Sequence, residues 1–404
     1  MNASGSTAIP VVETAAIAVE DSACQTACVA SVPTTRFYYM DAMRGVLMML
    51  GVVLHAAYVF SPTRSWVISD PQSSRFLEVF SEYMRLFRMP AFFVISGFFA
   101  MMSLQRYSID VFLRVRLKRI VLPLVSAALT LNVAQIYFVE RFVNGNTTSL
   151  SEFFTKVLPE RMIAGDWVQH LWFLNTLIFF FVAAVVIFLL MPLIPQSWKQ
   201  SRLLDSLRQD CRFMLILPVT LLGWDLVERL GHGWADTPLL CGFLNLDEFA
   251  IYFPYFVLGL WLYVDHKLRD EFQQPATWQL WSFVPCLVVY ASLRGVHGLH
   301  ITSVLREYSE VLFILLCTQL CFIGFQKYAD RNSPYFRYFA DASYTVYLFH
   351  HIFVVMIGTL LMPVNVMPVF KFLVIATSSL MITLVIHHFL ILRVPLLRLM
   401  FNGK

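Results

Sequence analysis

Residues Arg36 to Phe60, RFYYMDAMRGVLMMLGVVLHAAYVF, decide how the rest of the chain is read. The stretch is long and apolar enough for a membrane-spanning helix, yet it carries its own charge. Asp41 and Arg44 lie at its start, and His55 lies deep in apolar sequence. At about 100° and about 1.5 Å per residue, the step from Arg44 to His55 returns to within about 20° of the same face and climbs about 16 Å. Arg44, Met48, Gly51 and His55 therefore form one stripe, with Asp41 one turn below Arg44. An arginine and a histidine in hydrocarbon cost on the order of a few kcal/mol and face a bundle interior or a wet cavity. The alternative is an Arg44 that snorkels to the interface and a His55 satisfied within the core.

Composition sets the class. The chain has 404 residues, 58% hydrophobic and 14% charged, with a mean hydropathy of +0.66. Long apolar runs recur along its whole length, as in a polytopic membrane protein. The alternation of a lipid-facing barrel strand is missing, so the expected fold is all-α. The net charge of +4 is small. No basic stripe stands outside the apolar segments, and no nucleic-acid partner is expected. The seven cysteines match neither a disulfide framework nor a metal motif, and read as small buried hydrophobes.

Residues 1–35 contain no Lys or Arg and are rich in Ala, Ser, Thr and Val. A secretory signal needs a basic segment before its apolar core, so this is read as a disordered N-terminal tail. Residues 36–404 are read as one transmembrane domain of about ten spans. Their expected cores are 41–60, 87–104, 120–140, 171–193, 213–230, 247–264, 278–293, 305–325, 342–361 and 369–391. The fifth and seventh are the weakest, because Asp225 and Glu228 end one and Arg294 closely follows the other. The loops after the even-numbered spans, with the C-terminus, carry the larger share of Arg and Lys. These include Arg106, Arg114, Arg116, Lys118, Arg119, Arg202, Arg208, Arg331 and Arg337. Both termini are therefore expected to be cytoplasmic, with Arg44 near the inner end of the first span and His55 in its outer half. In the loop SLSEFFTKVLPERMIAG (149–165), Leu150, Phe153, Phe154, Val157 and Leu158 share a face that suits a flat interfacial helix. The second half does not repeat the first, which weakens a transporter built from inverted repeats.

Several further residues can carry chemistry. The run RVRLKRI holds Arg114, Arg116, Lys118 and Arg119 against the third span. Such a cluster suits phosphates, though it also serves plain topology anchoring. In FRMPAFFVISGF (87–98), Arg88 sits beside Pro90 and is either an interfacial snorkeller or a cavity residue. His170 opens HLWFLNTL at an interface, where a histidine is cheap; Asn175, deeper, is expected to bond another helix. In SYTVYLFHH (343–351), Ser343, Tyr347 and His350 share a face, whereas His351 points elsewhere. Asp247 and Glu248 could bind sugar hydroxyls or be solvated loop acids. No nucleophile, Walker or metalloprotease motif is present. The chemistry that fits is general-base work by a histidine, supported by arginines and drawing on a phosphate-bearing donor.

These blocks together resemble the membrane acyltransferase-3 family. DAMRG with its following His55, then FRMPAFFVISGF, RVRLKRIVLP, HLWFL, YFPYFVLGL and SYTVYLFHH stand in the same order as the family's blocks and cover nearly all of the chain after the tail. LMMLGV, the doubled His350–His351 and the ending RVPLLRLMFNGK are most similar to a glucan-biosynthesis branch. The resemblance implies about ten helices around a pore-like acyl-transfer site in a bacterial inner membrane. It implies O-succinylation of osmoregulated periplasmic glucans, with succinyl-CoA as donor substrate and no permanently bound cofactor or metal. Carried over by position, His55 and Arg44 match the family's essential pair, with His55 as general base. Asp41, Arg88, His170, Tyr347 and His350 are expected to hold substrate, and Arg114, Arg116, Lys118 and Arg119 the CoA phosphates. Expected partners are the acyl-CoA, the glucan and the lipid bilayer, with self-association or the glucan-synthesis machinery as further candidates. Transfer of acetyl or another acyl group to a different envelope acceptor, and a proton- or anion-coupled transporter, are the rival readings.

Overall fold

The computed structural model describes residues 36–230, 239–296 and 301–404; the expected tail, with Cys24 and Cys28, lies outside them. The described residues contain no β-strand. The principal helices are α1 Tyr38–Tyr58, α2 Arg75–Arg106, α3 Ile109–Val143, α4 Gln169–Leu193, α5 Leu217–Leu230 and α6 Leu246–Val264. They continue with α7 Thr277–Ser292, α8 Ile301–Ala329, α9 Pro334–Leu361, α10 Pro368–Ile391 and α11 Pro395–Asn402.

Local chemistry sets where these helices begin. Ser74, Ser108 and Asn245 accept from backbone N–H groups of the first turns of α2, α3 and α6, satisfying donors that a helix leaves orphaned. Proline opens α9, α10 and α11, where its missing N–H costs nothing. Within α3 and α10 the backbone loosens into π-helical turns at Ala128–Asn132, Val139–Val143 and His387–Ile391.

Among the described residues, seven helices (α1, α2, α3, α4, α8, α9 and α10) are long and apolar enough to cross a membrane. The protein is an all-helical, multi-pass membrane protein. The expected fifth, sixth and seventh spans are also helical, as α5, α6 and α7 of 14, 19 and 16 residues. α5 and α7 are shorter than the seven, and α6, with Asp247 and Glu248 in its first turn, is less apolar. α5 carries Asp225, paired with Arg229, which also reaches Glu307 on α8.

Close approach of α2 and α6 builds the centre. A Cβ on Gly97 would lie 2.0 Å from the Phe256 carbonyl oxygen, and one on Gly259 2.0 Å from that of Val94. Only glycine admits the two backbones at that distance, a contact that substitutes for the weak hydrophobic drive between helices in lipid. α1 packs chiefly on α9 and α2. Large apolar side chains stay exposed along α4 (Val182, Val186, Leu189, Leu190) and α10 (Phe370, Leu373, Met381, Val385), as a lipid-facing surface requires.

Three expectations are corrected. The 149–165 segment is helical from Leu150 to Ile163, but its apolar residues divide. Phe153 is buried against Tyr137 at 5.1 Å, while Leu150 and Phe154 remain exposed. Cys241 is exposed because it sits in a reversal, at φ 55°, whose carbonyl accepts from Trp167 Nε1. Cys211 and Cys286 are buried and free. The side-chain amide of Asn175 is buried with no hydrogen-bond partner, so it makes no bond to another helix.

Candidate active site

Helices α1, α2, α4, α6 and α9 enclose a cavity of about 270 Å³ around His55. α1 contributes Gly51, His55 and Tyr58; α2 contributes Arg85, Arg88 and Met89. α4 brings His170, Trp172 and Phe173, α6 brings Glu248 and Tyr252, and α9 brings Tyr347 and His350.

Four imidazoles cluster here. The His55 ring lies 5.3 Å from that of His350 and 5.0 Å from that of His351, and stacks on Trp66 at 5.6 Å. His170 stacks on His351 at 4.6 Å. The expectation that His351 points elsewhere is therefore corrected. Successive helical residues diverge by about 100°, and His55 sits in the angle between His350 and His351. Among the described residues, no group of three or more His, Cys, Asp or Glu is placed to hold a metal ion.

Hydrogen bonds fix the tautomers of three of the four imidazoles. His350 Nδ1 lies 2.7 Å from the Tyr347 carbonyl and 3.0 Å from that of Val346. Carbonyls only accept, so Nδ1 carries the proton and Nε2 presents a lone pair; that Nε2 is buried without a partner. His170 Nε2 donates to the Leu348 carbonyl at 3.2 Å, leaving its Nδ1 unpartnered. His351 Nδ1 donates to Gln135 Oε1 at 2.8 Å. His55 Nδ1 is buried with no partner. Tyr347 donates its hydroxyl to the His170 carbonyl at 2.6 Å. The residue before His170, Gln169, has φ 43°, a left-handed conformation that costs a side-chain-bearing residue and is kept where surrounding structure demands it.

Arg88 is 8% exposed, which removes the reading of it as an interfacial snorkeller. Gly51 gives it room. A Cβ there would lie 3.2 Å from Arg88 Nη1 and 3.8 Å from His350 Nε2. Arg85, one turn earlier on α2, lines the same cavity. Among the described residues neither guanidinium has a carboxylate within 4.0 Å, and the Nε atoms of both are buried without a partner. Sequence reasoning missed Arg85; its three-residue spacing from Arg88 in an apolar helix was the available signal. Asp247 and Glu248 separate. Asp247 accepts from Trp224 Nε1 at 3.2 Å, whereas Glu248 lines the cavity.

Arg44 opens elsewhere. It lines a second cavity of about 210 Å³ with Met48, Phe92, Ser96, Arg116 and Arg119, joined by Ser343, Tyr344, Asn402 and Lys404. Arg44 and His55 thus share a stripe but not a chamber. Asp41 lines neither cavity and pairs with Arg44 at 3.4 Å. Arg116 donates to the Phe99 carbonyl and Ser103 Oγ at 3.0 and 2.8 Å. Of the expected basic cluster, only Arg116 and Arg119 reach this cavity. Arg114 is paired with Asp110 at 2.8 Å and is 76% exposed. Lys118 stands outside, with Gly403 packed against its carbonyl.

The two cavities stack along the same helices. Met48 faces one and Gly51 the other; so do Phe92 and Met89, and Tyr344 and Tyr347. Phe173 lines both and meets Phe92 edge-on at 4.8 Å. A partition about one helical turn thick, about 5 Å, therefore separates them. On one side are imidazoles with free lone pairs beside unpaired guanidiniums, a set able to take a proton and hold a developing oxyanion. On the other are cations suited to phosphate.

Curated relatives and a family model match most of the chain. The chain is 27% identical over 382 residues to glucans biosynthesis protein C of Salmonella gallinarum, covering 93% of this chain and 96% of that protein. It is 27% identical over 387 residues to the protein of that name from Salmonella paratyphi B, and 26% to that of Salmonella agona, with the same coverage. No solved structure matches. A family model described as an acyltransferase domain matches residues 37–388, and the chain belongs to the acyltransferase-3 family of membrane acyltransferases.

Proposed function

We propose that the protein moves a succinyl group from cytoplasmic succinyl-CoA to hydroxyls of osmoregulated periplasmic glucans across a bacterial inner membrane. In this reading α1 to α10 all span, both termini are cytoplasmic, the Arg44 cavity opens inward and the His55 cavity outward. The observation that carries it is the stacking of a cationic cavity on a histidine–arginine cavity, divided by Phe173. A donor and an acceptor in opposite compartments need two chambers with one narrow junction.

The donor's phosphates meet Arg116, Arg119 and Arg44, with Arg114 and Lys118 at the mouth. Asp41 holds Arg44 in place. The acyl arm passes the partition to reach His55. Neutral His55 takes the proton of a glucan hydroxyl as its oxygen attacks the thioester carbon. Arg88 holds the resulting oxyanion. When the C–S bond breaks, the proton passes from His55 to the departing thiolate, and ester and CoA thiol leave. His170, Tyr347 and His350 hold the acceptor, His350 through the lone pair on Nε2. Arg85 adds a second cation for the succinyl carboxylate; an acetyl group offers it nothing, which favours succinyl. The relatives named glucans biosynthesis protein C support a glucan acceptor. A transporter would need passage of a whole solute where Phe92 and Phe173 meet.

The test is purified protein in lipid with succinyl-CoA and glucan from a strain lacking the gene. Release of CoA that depends on glucan, with succinyl esters found on the glucan by mass spectrometry, is expected. Transport of substrate without CoA release, or transfer of acetyl but not succinyl, overturns the reading.

A further inference from the structure

The two acids at the start of α6 are turned to different tasks. The Asn245 side chain accepts from the N–H groups of Asp247 and Glu248 at 2.9 and 3.1 Å, which fixes both residues in the first turn. Asp247 is then engaged by Trp224. Glu248 instead enters the wall of the His55 cavity, and among the described residues its carboxylate has no cation within 4.0 Å. Beside it, Trp172 and Tyr252 form a stacked pair, ring centroids 5.4 Å apart, in the same wall. Arg85 and Arg88 come from α2, and Tyr58, with Arg64 over its ring at 4.7 Å, stands on α1.

Charge sorts the substrates in this cavity. An anionic acyl donor is drawn to Arg85 and Arg88. A carboxylate without a counter-ion is satisfied by neutral donors, and hydroxyls are such donors. The indole face of Trp172 is an apolar surface with a polar tip and packs against the C–H face of a pyranose ring, while Tyr252, stacked on Trp172 and on Phe93 at 4.9 Å, holds that indole in place. An acid and an aromatic pair in one wall, facing the imidazoles, therefore suit a neutral polyhydroxylated ring.

We propose that Glu248, Trp172 and Tyr252 form the subsite that binds the sugar ring of the acceptor, Glu248 accepting from its hydroxyls and so presenting another hydroxyl to His55. This rests on the acyl-transfer reading above and adds the residues that recognise the acceptor. Glu248 and the aromatic pair are binding and positioning groups, with no part in bond breaking.

The experiment measures steady-state kinetics of the full-length protein in lipid with succinyl-CoA and glucan. In Glu248→Gln and Trp172→Ala the glucan KM rises about tenfold while the succinyl-CoA KM moves by less than about twofold. A glucan KM unchanged in both variants, or a succinyl-CoA KM that rises in step, overturns the subsite. A second measurement needs no variant: carbodiimide labelling of Glu248 in the wild type is slowed by glucan and not by CoA. Equal labelling with and without glucan also overturns it. Wild-type protein that transfers nothing to glucan overturns the acyl-transfer reading itself, a result separable from failure of the variants.

Discussion

Gly51 and Arg88 meet across the α1–α2 contact with no space left over: a Cβ on residue 51 would lie 3.2 Å from Arg88 Nη1. The same point would stand 3.8 Å from His350 Nε2, so one missing methyl group keeps a cation and an imidazole lone pair beside each other. Gly51→Ala requires Arg88 to shift by a few tenths of an ångström and is expected to lower kcat only severalfold. Gly51→Val displaces the guanidinium, and misplacement on the scale of 1 Å costs about a hundredfold. Glucan-dependent CoA release from both variants checks this. Equal rates for glycine and valine would separate Arg88 from the chemistry.

His55 and Arg44 share a helical stripe but open into different cavities, so their replacements fail differently. Under the proposed mechanism, His55→Ala removes the general base and is expected to lower kcat by about 10²–10⁴-fold, with donor binding retained. Arg44→Ala leaves the imidazoles in place and raises the succinyl-CoA KM instead. Arg44→Lys keeps the charge but loses the planar fork and is expected to recover only part of the affinity. Single-turnover assays with donor titration separate the two effects. A His55→Ala protein that still succinylates glucan at wild-type rate would remove the base from the mechanism.

Phe173 touches both cavities and leans edge-on against Phe92 at 4.8 Å. In the proposed reaction, closing this junction would keep water from the thioester until an acceptor is in place. Phe173→Ala is expected to raise glucan-independent hydrolysis of succinyl-CoA severalfold while lowering the yield of ester per CoA released. The ratio of ester to free succinate reads this directly. An unchanged ratio would mean that the arm reaches His55 by another route.

Much of this was readable in the chain because membrane helices obey strong local rules. Apolar length placed the seven helices that are long and apolar enough to cross a membrane, and the 3.6-residue period put Ser343, Tyr347 and His350 on one face of α9, where Ser343 lines one cavity and the other two line the next. What the sequence hid depended on contacts between helices. His351 looked averted because helical period describes one helix, and the partner that receives it, His55, lies on another. Asp247 and Glu248 looked alike until Trp224 took one of them. Arg44 and His55 looked like tenants of one chamber because nothing in α1 announces that Phe173 of α4 reaches between them. Arg114 and Lys118 read as part of one phosphate cluster, yet α3 turns only Arg116 and Arg119 inward.

Lys371 on α10 and Asp70 in the α1–α2 connection form an ion pair of 2.8 Å whose side chains are 0% and 1% exposed. Asp70 also accepts from the Gln72 N–H at 2.8 Å, and its own N–H donates to the Val59 carbonyl at 2.9 Å. The pair thus ties α10 to the segment that follows α1, and that segment carries Trp66, stacked on His55 at 5.6 Å. Removing one partner strands the other. Asp70→Asn should destabilise the protein by about 3–5 kcal/mol, whereas replacing both, Asp70→Leu with Lys371→Met, should restore much of that loss because the desolvation cost disappears with the charges. Thermal unfolding in detergent reads the stability, and His55-dependent CoA release reads the site. Stability recovered in the double variant with activity still low would show that the pair matters through the placing of Trp66. Stability unaffected by Asp70→Asn would mean that Lys371 finds another acceptor, for which the Met362 carbonyl at 3.5 Å is the nearest candidate.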